Sequence, residues 1–233
     1  MEGTVNEQFK SHAEIIHRAD RSGFKAGALN NVLDILTERG DKFDYIMVFD
    51  SDHIPYNKSI NEIYGYLNKE LIQFFWLDGL PLETPLNWLT FSSRYFSNWN
   101  IYNRKFPNLT GSAIAIRYDL VKEDGLRFPE TITEDYALTL LTVSHRMLKV
   151  TVMPYVLSIG SSPRSFRVFV KQQTRWAEGT VRDARKYFMR IITSNTTTIP
   201  GKVDFLFHVN MYLQGIWMLI TYAVLLFYGF RKS

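Results

Sequence analysis

The sequence contains no cysteine, which excludes disulfide bonds, thiolate zinc sites and cysteine nucleophiles. Residues 1–20 contain no apolar run, so the sequence predicts no cleavable signal peptide. A net charge of +4 is mild, and no recognisable nucleic-acid-binding motif accompanies it, so we expect no nucleic-acid partner. Neither internal repeats nor low-complexity segments occur, and 46% of the residues are hydrophobic, so the sequence predicts a folded domain.

One segment lacks charge altogether. Phe205–Phe230 contains no Lys, Arg, Asp or Glu. As a helix it would be about 39 Å long, enough to cross a hydrocarbon core of about 30 Å. His208, Asn210 and Gln214 dilute its first half, so we predict a transmembrane helix within 203–230 whose core is Tyr212–Phe230. A buried or interfacial helical hairpin is the alternative.

The rest of the chain alternates between strand-like and helix-like segments. This alternation predicts an α/β fold with a mostly parallel sheet. Apolar or β-branched runs predict strands at Ala13–His17, Tyr45–Phe49, Leu71–Leu77, Ser112–Arg117 and Lys149–Met153. The first two long runs, Tyr45–Phe49 and Leu71–Leu77, are continuous enough for strands buried on both faces. Helices are predicted at Lys25–Arg39, Asn57–Leu67, Pro85–Arg104, Thr133–Arg146 and Phe166–Ile192.

The predicted helix at Phe166–Ile192 is both amphipathic and basic. A basic amphipathic helix beside a membrane span is typical of a helix that lies in the membrane interface. The alternative is a helix packed on the soluble domain with its basic face in water. Its positive charges are Arg167, Lys171, Arg175, Arg182, Arg185, Lys186 and Arg190.

Two carboxylates follow a predicted strand directly, in the stretch FDSDH. Asp50 and Asp52 are two residues apart, so in an extended segment they project to the same side. The carboxyl end of a central strand is where open α/β sheets bind ligands, and hard oxygen ligands favour Mg²⁺ or Mn²⁺. His53 offers an imidazole as a further ligand, although a lone histidine is more often structural. A turn in which the aspartates cap backbone groups is the alternative.

Three further stretches carry candidate functional groups, each with a plainer explanation. Glu134 and Asp135 begin a predicted helix; they fit a helix cap, or a base that accepts a proton from an attacking hydroxyl. In QQTRW, Arg175 suits a diphosphate and Trp176 suits a sugar ring, although both also fit a surface helix. Lys25 precedes a small-residue helix start, where a phosphate is favoured.

The order of these stretches is more specific than any one of them. It resembles the cellulose synthase and hyaluronan synthase group of family-two glycosyltransferases, over roughly Ile16 to Arg190 and into the following apolar segment. The matching motifs are KAGALN at 25–30, DSD at 50–52, LTGSA at 109–113, TED at 133–135 and QQTRW at 172–176.

This resemblance implies a nucleotide-diphospho-sugar transferase (GT-A type) fold and a role for each motif. Asp135 would be the catalytic base, and Asp52 with His53 would hold Mg²⁺ or Mn²⁺. The substrates implied are a nucleotide-sugar, with a UDP-sugar as the expected donor, and a glycan acceptor, transferred with inversion. The residues implied to bind substrate are Lys25, Asp50, Gly111, Ser112, Glu134, Gln172, Arg175 and Trp176.

The resemblance also implies an organisation along the chain. Residues 1–162 would form the catalytic domain, residues 163–200 an interfacial helix, and residues 203–230 the membrane span. Membrane lipid would then be a partner, with the protein in the cell membrane and its catalytic part in the cytoplasm. The sequence departs from the family at its start, because residues 1–10 are polar and supply no counterpart of the family's first strand. We therefore expect an amino-terminally incomplete catalytic domain.

Two other functions remain open from the sequence alone. The chain could be a membrane-anchored homologue that binds nucleotide-sugar or polysaccharide without turnover. It could also be a metal-dependent phosphotransferase built on the aspartates of FDSDH. The second alternative leaves the TED and QQTRW motifs unexplained.

Overall fold

A computed structural model describes residues 14–56, 64, 68–78, 82–145 and 148–211. The strands in these residues are β1 (Tyr45–Val48), β2 (His53–Pro55), β3 (Leu71–Leu77), β4 (Ile114–Arg117) and β5 (Val150–Gly160). The helices are α1 (Phe24–Glu38), α2 (Pro85–Asn103), α3 (Tyr118–Lys122), α4 (Glu134–His145), α5 (Phe166–Thr193) and α6 (Ile199–Met211).

The two long helices begin where the sequence supplies side-chain caps. At the start of α2, the Thr84 hydroxyl accepts a hydrogen bond from the Asn87 N–H, and Pro85 occupies the first turn, where its missing N–H costs nothing. At the start of α5, the Ser165 hydroxyl accepts from the Val168 N–H. These local caps therefore explain why both helices begin at the predicted residues.

The strands form a sheet in the order β1-β4-β3-β5-β2. Only the β3–β5 pairing is parallel among the described residues; the β1–β4, β3–β4 and β2–β5 pairings are antiparallel. The prediction of a mostly parallel sheet was therefore wrong. Alternation of strands and helices sets the types of the elements, but the direction in which each strand re-enters the sheet depends on contacts between distant segments.

The sheet is curled. Its two edge strands, β1 and β2, are joined by residues 49–52 alone, in a turn where the His53 N–H donates to the Asp50 carbonyl over 3.0 Å. A flat sheet of five strands would separate its edge strands by about 19 Å, and a turn of this length is too short to connect them. Curling brings both edges to the FDSDH stretch. Because β1 lies at an edge, Tyr45, Ile46 and Met47 are only half-buried, against our expectation of burial on both faces.

β5 is longer than predicted because it continues past a proline. Met153 pairs with Phe74, and Val156 pairs with the next residue, Phe75, so Pro154 and Tyr155 bulge out of the ladder. Proline has no N–H to donate, and a bulge is where a sheet accommodates it.

Two other predicted elements have different outcomes. Residues 14–18 form no strand, so the predicted strand Ala13–His17 was wrong in its described part. The predicted helix Asn57–Leu67 lies almost entirely outside the described residues.

The membrane span also remains a prediction. In the described part of the chain, no helix combines the length and the apolar character needed to cross a membrane. α6 covers the first residues of Phe205–Phe230, and the proposed core of the span, Tyr212–Phe230, lies outside the described residues.

The core packs helices against the sheet and against one another. Ala26 and Leu33 of α1 and Leu138 of α4 share a buried cluster with the sheet residues Leu71 and Ile116. A second cluster joins the long helix to the rest of the domain through α4, α5 and α6; it contains Tyr136, Leu140, Ala184, Tyr187, Ile191 and Phe205.

Candidate active site

Four stretches that are far apart in sequence line one cleft of about 1180 Å³. They are the start of α1, the turn after β1, the start of α4 and the first half of α5. The predicted site residues on this cleft are Lys25, Asp50, Asp52, His53, Gly111, Glu134, Asp135, Gln172, Arg175 and Trp176. Ser112 does not line the cleft, but its hydroxyl contacts two residues that do, Asp50 and His53. The roles of these residues remain predictions, but the fold brings them together.

Lys25 is the central cation of the cleft. Its Nζ lies 2.5 Å from Asp50 Oδ1 and 3.1 Å from Glu134 Oε1, and it donates to the Gly111 carbonyl over 2.7 Å. Burial by itself lowers the pKa of Lys25, but the charges of Glu134 and Asp50 outweigh it and raise the pKa above its usual value. Lys25 therefore stays protonated and ties α1, the turn after β1 and α4 together.

Two hydrogen bonds with the buried side chain of Gln73 hold the turn at residues 110–112. The Thr110 N–H donates to Gln73 Oε1 over 2.7 Å, and Gln73 Nε2 donates to the Ser112 carbonyl over 2.9 Å. Gly111 in this turn has a φ of +82°, which favours glycine. A Cβ at Gly111 would lie 3.4 Å from Asp135 Oδ2 and 3.9 Å from Asp50 Oδ2, so both carboxylates face this turn.

Ser112 and His53 orient the turn that carries the aspartates. The Asp50 N–H donates to the Ser112 hydroxyl over 3.1 Å. His53 Nδ1 lies 2.9 Å from the same hydroxyl and 3.0 Å from the Ser158 hydroxyl. Burial lowers the pKa of His53, although the charges of Asp50 and Asp52 oppose this, so the imidazole is neutral near pH 7.

The acidic pair has the donor chemistry of a divalent-cation site. One ligand atom each of Asp50, Asp52 and His53 lies within 4.8 Å of the other two. The carboxylates fit Mg²⁺ or Mn²⁺, and Asp52 is exposed to the cleft. His53 fits less well, because Nδ1 faces two serine hydroxyls and Nε2 packs against Gly160, where a Cβ would lie only 2.6 Å away. Ligation through Nδ1 would require breaking those hydrogen bonds, and ligation through Nε2 would require moving the ring away from Gly160.

Asp135 has the properties of a base that works near neutral pH. Burial, followed by the negative charge of Glu134, raises the pKa of Asp135 to about 7, while the Tyr136 N–H and Lys25 act against this rise. A general base is most effective when its pKa lies near the working pH.

α5 is docked against the start of α4 by contacts that sequence analysis did not single out. Asp183 of α5, which is buried, accepts hydrogen bonds from the hydroxyls of Thr131 and Thr133, over 2.9 and 2.7 Å. Gly179 lies against Thr133 so closely that a Cβ there would be 2.7 Å from its side chain. This docking places Gln172, Arg175 and Trp176 on the cleft that Lys25 also lines. The sequence offered one signal of this docking: a glycine and an aspartate lie on the apolar side of a long predicted helix.

Residues 45–231 match the family described as glycosyl transferase family group 2. The chain belongs to this family. The resemblance to family-two glycosyltransferases is thereby confirmed at the level of the family; the cellulose synthase and hyaluronan synthase subgroup remains a prediction.

Two solved structures have a similar fold. One is the mannosyltransferase PcManGT from Pyrobaculum calidifontis, in complex with GDP-Man and Mn²⁺; it has 17% identity and a TM-score of 0.60, over 95% of this chain and 57% of that chain. The other is residues 1–349 of TarS from S. aureus, in complex with UDP-GlcNAc; it has 11% identity and a TM-score of 0.51, over 78% of this chain and 51% of that chain. The chain therefore spans little more than half the length of these two chains.

The cleft of this family-two domain has a second group of residues that sequence analysis missed. Arg94 of α2, which is buried, places its guanidinium carbon 3.5 Å from the centre of the Trp76 ring and 5.5 Å from that of Trp176. Asp78, two residues after Trp76, also lines the cleft. The sequence does not indicate that Arg94 contacts the two tryptophans, because it shows only an arginine in the middle of a predicted helix. The contact joins α2, β3 and α5, which are far apart in the chain.

Proposed function

We propose that this domain transfers a sugar from a nucleotide diphosphate to a hydroxyl of a glycan acceptor, with inversion at the anomeric carbon and with Asp135 as the general base. One observation carries the proposal: the Lys25–Asp50–Glu134 ion pairs, Asp135 and the QQTRW helix line a single cleft. Membership of the family supports the reaction class.

The charged end of the cleft suits the donor diphosphate. Asp50 and Asp52 would hold Mg²⁺ or Mn²⁺ there, and the ion would offset negative charge on the diphosphate. Lys25 contributes a fixed positive charge at the start of α1, where a helix also favours anions. Arg175 is exposed towards the cleft from α5 and can form paired hydrogen bonds with phosphate oxygens.

The transfer itself requires a base on the acceptor side. As the acceptor oxygen bonds to the anomeric carbon, its proton passes to Asp135, and the bond between that carbon and the diphosphate oxygen breaks with its electron pair leaving on the diphosphate. Asp135 is suited to this because its raised pKa makes it a stronger base than an ordinary carboxylate. A single displacement of this kind inverts the linkage.

The nature of the donor follows from chemistry shared with the similar structures. PcManGT is described with GDP-Man, and TarS is described with UDP-GlcNAc. Both are nucleotide diphosphate sugars, and the charged end described above fits that shared group. We propose a UDP-sugar as the donor, and Mn²⁺ as the first metal to test because the PcManGT complex contains it.

Association with a membrane is a further part of the proposal. All seven basic residues of α5 that we identified in the sequence are exposed, and so are Phe166, Val168 and Val170 near its start. The second half of α5 packs on the domain through Ala184, Tyr187 and Ile191. We propose that the first half lies at an anionic lipid surface, with the catalytic part in the cytoplasm. Tyr212–Phe230, the core of the predicted span, would anchor the protein in the cell membrane, because Phe205 and His208 of α6 pack on the domain. Flotation with phosphatidylglycerol vesicles tests this, and Phe166→Ser with Val170→Ser should reduce the bound fraction.

The decisive experiment is a donor panel. UDP-glucose, UDP-GlcNAc and GDP-mannose are incubated with the protein and Mn²⁺, with and without a glycan acceptor, and release of the nucleoside diphosphate is measured together with the product. We expect release that depends on acceptor and metal, and a β-linked product from an α-linked donor. Binding of a donor without release would instead identify a non-catalytic homologue, and the length of any product reports whether the enzyme is processive.

A further inference from the structure

Four side chains form a continuous stack along one wall of the cleft. The His53 ring meets the Trp76 ring edge to face, with centroids 4.5 Å apart. Arg94 lies over Trp76 at 3.5 Å and reaches towards Trp176 at 5.5 Å. A guanidinium held over an aromatic face is attracted by the ring quadrupole, most strongly when water is excluded. Arg94 therefore fixes the position of Trp176 relative to β3.

Asp78 lies at the end of β3, beside this stack. Its Oδ1 is buried and has no hydrogen-bond partner among the residues that the structure describes. Burial raises the pKa of Asp78 to about 6; the charge of Arg94 opposes this rise, and the charge of Asp52 adds to it. A buried oxygen without a donor is costly, so a ligand hydroxyl that donates to it is strongly favoured.

The 110–112 turn contacts both this wall and the charged end of the cleft. On one side, Trp76 Nε1–H donates to the Thr110 hydroxyl over 3.2 Å. On the other side, Lys25 donates to the next residue, Gly111, whose Cα also faces Asp135. Asp135 thus faces the same turn that Trp76 contacts.

The chemistry of the wall distinguishes its ligand from a phosphate. Asp78 and Arg94 carry opposite charges, so together they attract a diphosphate little, and the carboxylate repels it directly. An indole face and a carboxylate oxygen without a donor match a neutral pyranose, which has an apolar ring face and hydroxyl donors.

We propose that Asp78 and Trp176 bind the acceptor sugar, with Asp78 accepting a hydrogen bond from one of its hydroxyls, and that Arg94 is the positioning residue that holds Trp176 in place. This inference rests on the proposed glycosyl transfer. It adds a recognition residue directly after β3 and a positioning residue on α2 to a site otherwise built from α1, the turn after β1, α4 and α5.

The test compares Asp78→Asn with Asp119→Asn, a matched control whose carboxylate pairs with Arg117 at the surface. The full chain is assayed with Mn²⁺, the active donor and methyl glycosides of glucose, N-acetylglucosamine and mannose as acceptors. For Asp78→Asn we expect the KM for acceptor to rise about tenfold, and the ratio of transfer to donor hydrolysis to fall by a similar factor. Asp119→Asn should match the wild type in both.

Arg94 is tested by Arg94→Lys, Arg94→Met and the double variant Arg94→Met/Trp176→Ala. A positioning role predicts that lysine restores part of the acceptor affinity lost with methionine, and that the double variant is no worse than Trp176→Ala, because Arg94 acts through Trp176. Thermal unfolding of each variant distinguishes a loss of acceptor affinity from a loss of the fold. Fully additive effects would show that Arg94 acts independently of Trp176.

Acceptor binding is also measured without turnover, by saturation-transfer NMR of the three methyl glycosides. Wild-type binding that weakens in Asp78→Asn and Trp176→Ala supports the inference. An unchanged acceptor KM in Asp78→Asn, or no glycoside signal with the wild type, overturns it. A wild type that binds these glycosides but releases no nucleoside diphosphate from any donor contradicts the proposed function instead.

Discussion

The ammonium nitrogen of Lys25 lies 3.1 Å from a carboxylate oxygen of Glu134, so an ion pair joins the start of α1 to the start of α4. Glu134 is almost fully buried, with 7% of its side chain exposed, whereas 34% of Lys25 is exposed. The lysine therefore compensates a carboxylate that water reaches poorly. It also pairs with Asp50, so the same cation serves the stability of the domain and the charge of the cleft.

Removal of this cation should destabilise the domain and weaken nucleotide binding. We expect Lys25→Met to lower the free energy of unfolding by about 2 kcal/mol, because Glu134 is left buried without its partner. The double variant Lys25→Met/Glu134→Gln should regain most of that stability in urea denaturation, yet still bind UDP weakly. If the double variant were as unstable as Lys25→Met, the pairing with Glu134 would not be the cause.

Substitution of the proposed base should separate chemistry from binding. Asp135→Asn keeps the size of the side chain but cannot accept the acceptor proton, so we expect kcat to fall by roughly 10²- to 10⁴-fold. The dissociation constant for the donor, measured by calorimetry, should change little. Glu178→Gln, which breaks an exposed ion pair with Arg182 on α5, is the control and should retain wild-type rates. A turnover close to the wild type in Asp135→Asn would assign the base to another residue.

The activity should rise with pH through the pKa of Asp135. Only the carboxylate form accepts a proton, and burial with the charge of Glu134 raises this pKa to about 7. Below that value, log(kcat/KM) should increase by about one for each pH unit, and above it the profile should level off. A flat profile from about pH 5.5 to pH 8 would contradict the assignment.

The metal prediction concerns Asp52 more than Asp50, because Asp50 already pairs with Lys25. We expect Asp52→Asn to weaken the Mn²⁺-dependent part of UDP binding about tenfold, since one hard oxygen ligand is lost. Binding without Mn²⁺ should not change. Ser51→Ala, at the exposed residue between the two aspartates, is the matched control. An equal loss with and without Mn²⁺ would show that Asp52 acts on the nucleotide and not through a metal.

His208 should make the stability of the domain depend on pH. Its ring packs against Tyr136 and lies 2.7 Å from Arg104, and burial, followed by the charge of Arg104, lowers its pKa to about 3. In the unfolded chain the imidazole binds a proton below about pH 6.5, so stability is lost as the pH falls from 6.5 towards 3.

The measurement compares wild type with His208→Gln by chemical denaturation at pH 7 and pH 5. The difference in unfolding free energy should shift by about 2 kcal/mol against the wild type at the lower pH. The raised pKa values of Asp78 and Asp135 have the opposite effect, because they make the domain more stable as the pH falls. Both proteins contain these two residues, so their effect cancels in the difference between the proteins. A difference that is independent of pH would show that His208 is not held neutral.

Elements with a strong local pattern were predicted almost to the residue. The strand Leu71–Leu77 has the predicted bounds, and the helices predicted at Pro85–Arg104 and Phe166–Ile192 differ from α2 and α5 by one residue at one end. Helix caps and apolar periodicity depend on neighbours within a few positions, so they can be recognised in the sequence directly. Pro154 shows the limit of such patterns, because only the partner strand reveals that β5 continues through a bulge.

The candidate site was predictable as a set of motifs but not as an arrangement. The order of KAGALN, DSD, TED and QQTRW indicated the family, which the match over residues 45–231 confirms. It did not indicate that Gln73 supports the 110–112 turn, that Asp183 and Gly179 dock α5, or that Arg94 bridges two tryptophans. None of these residues belongs to a motif, because each acts through a contact with a distant segment.

By itself, the sequence determined the types of the main elements, the family and the residues with chemistry to offer, since these depend on residue identity and short-range order. Strand direction, the curl that brings both sheet edges to FDSDH, and the burial that raises the pKa of Asp135 were decided only by the tertiary structure. The physical reason is that strand pairing, desolvation and ion pairing are energies between segments far apart in the chain, and their geometry exists only after the chain has folded.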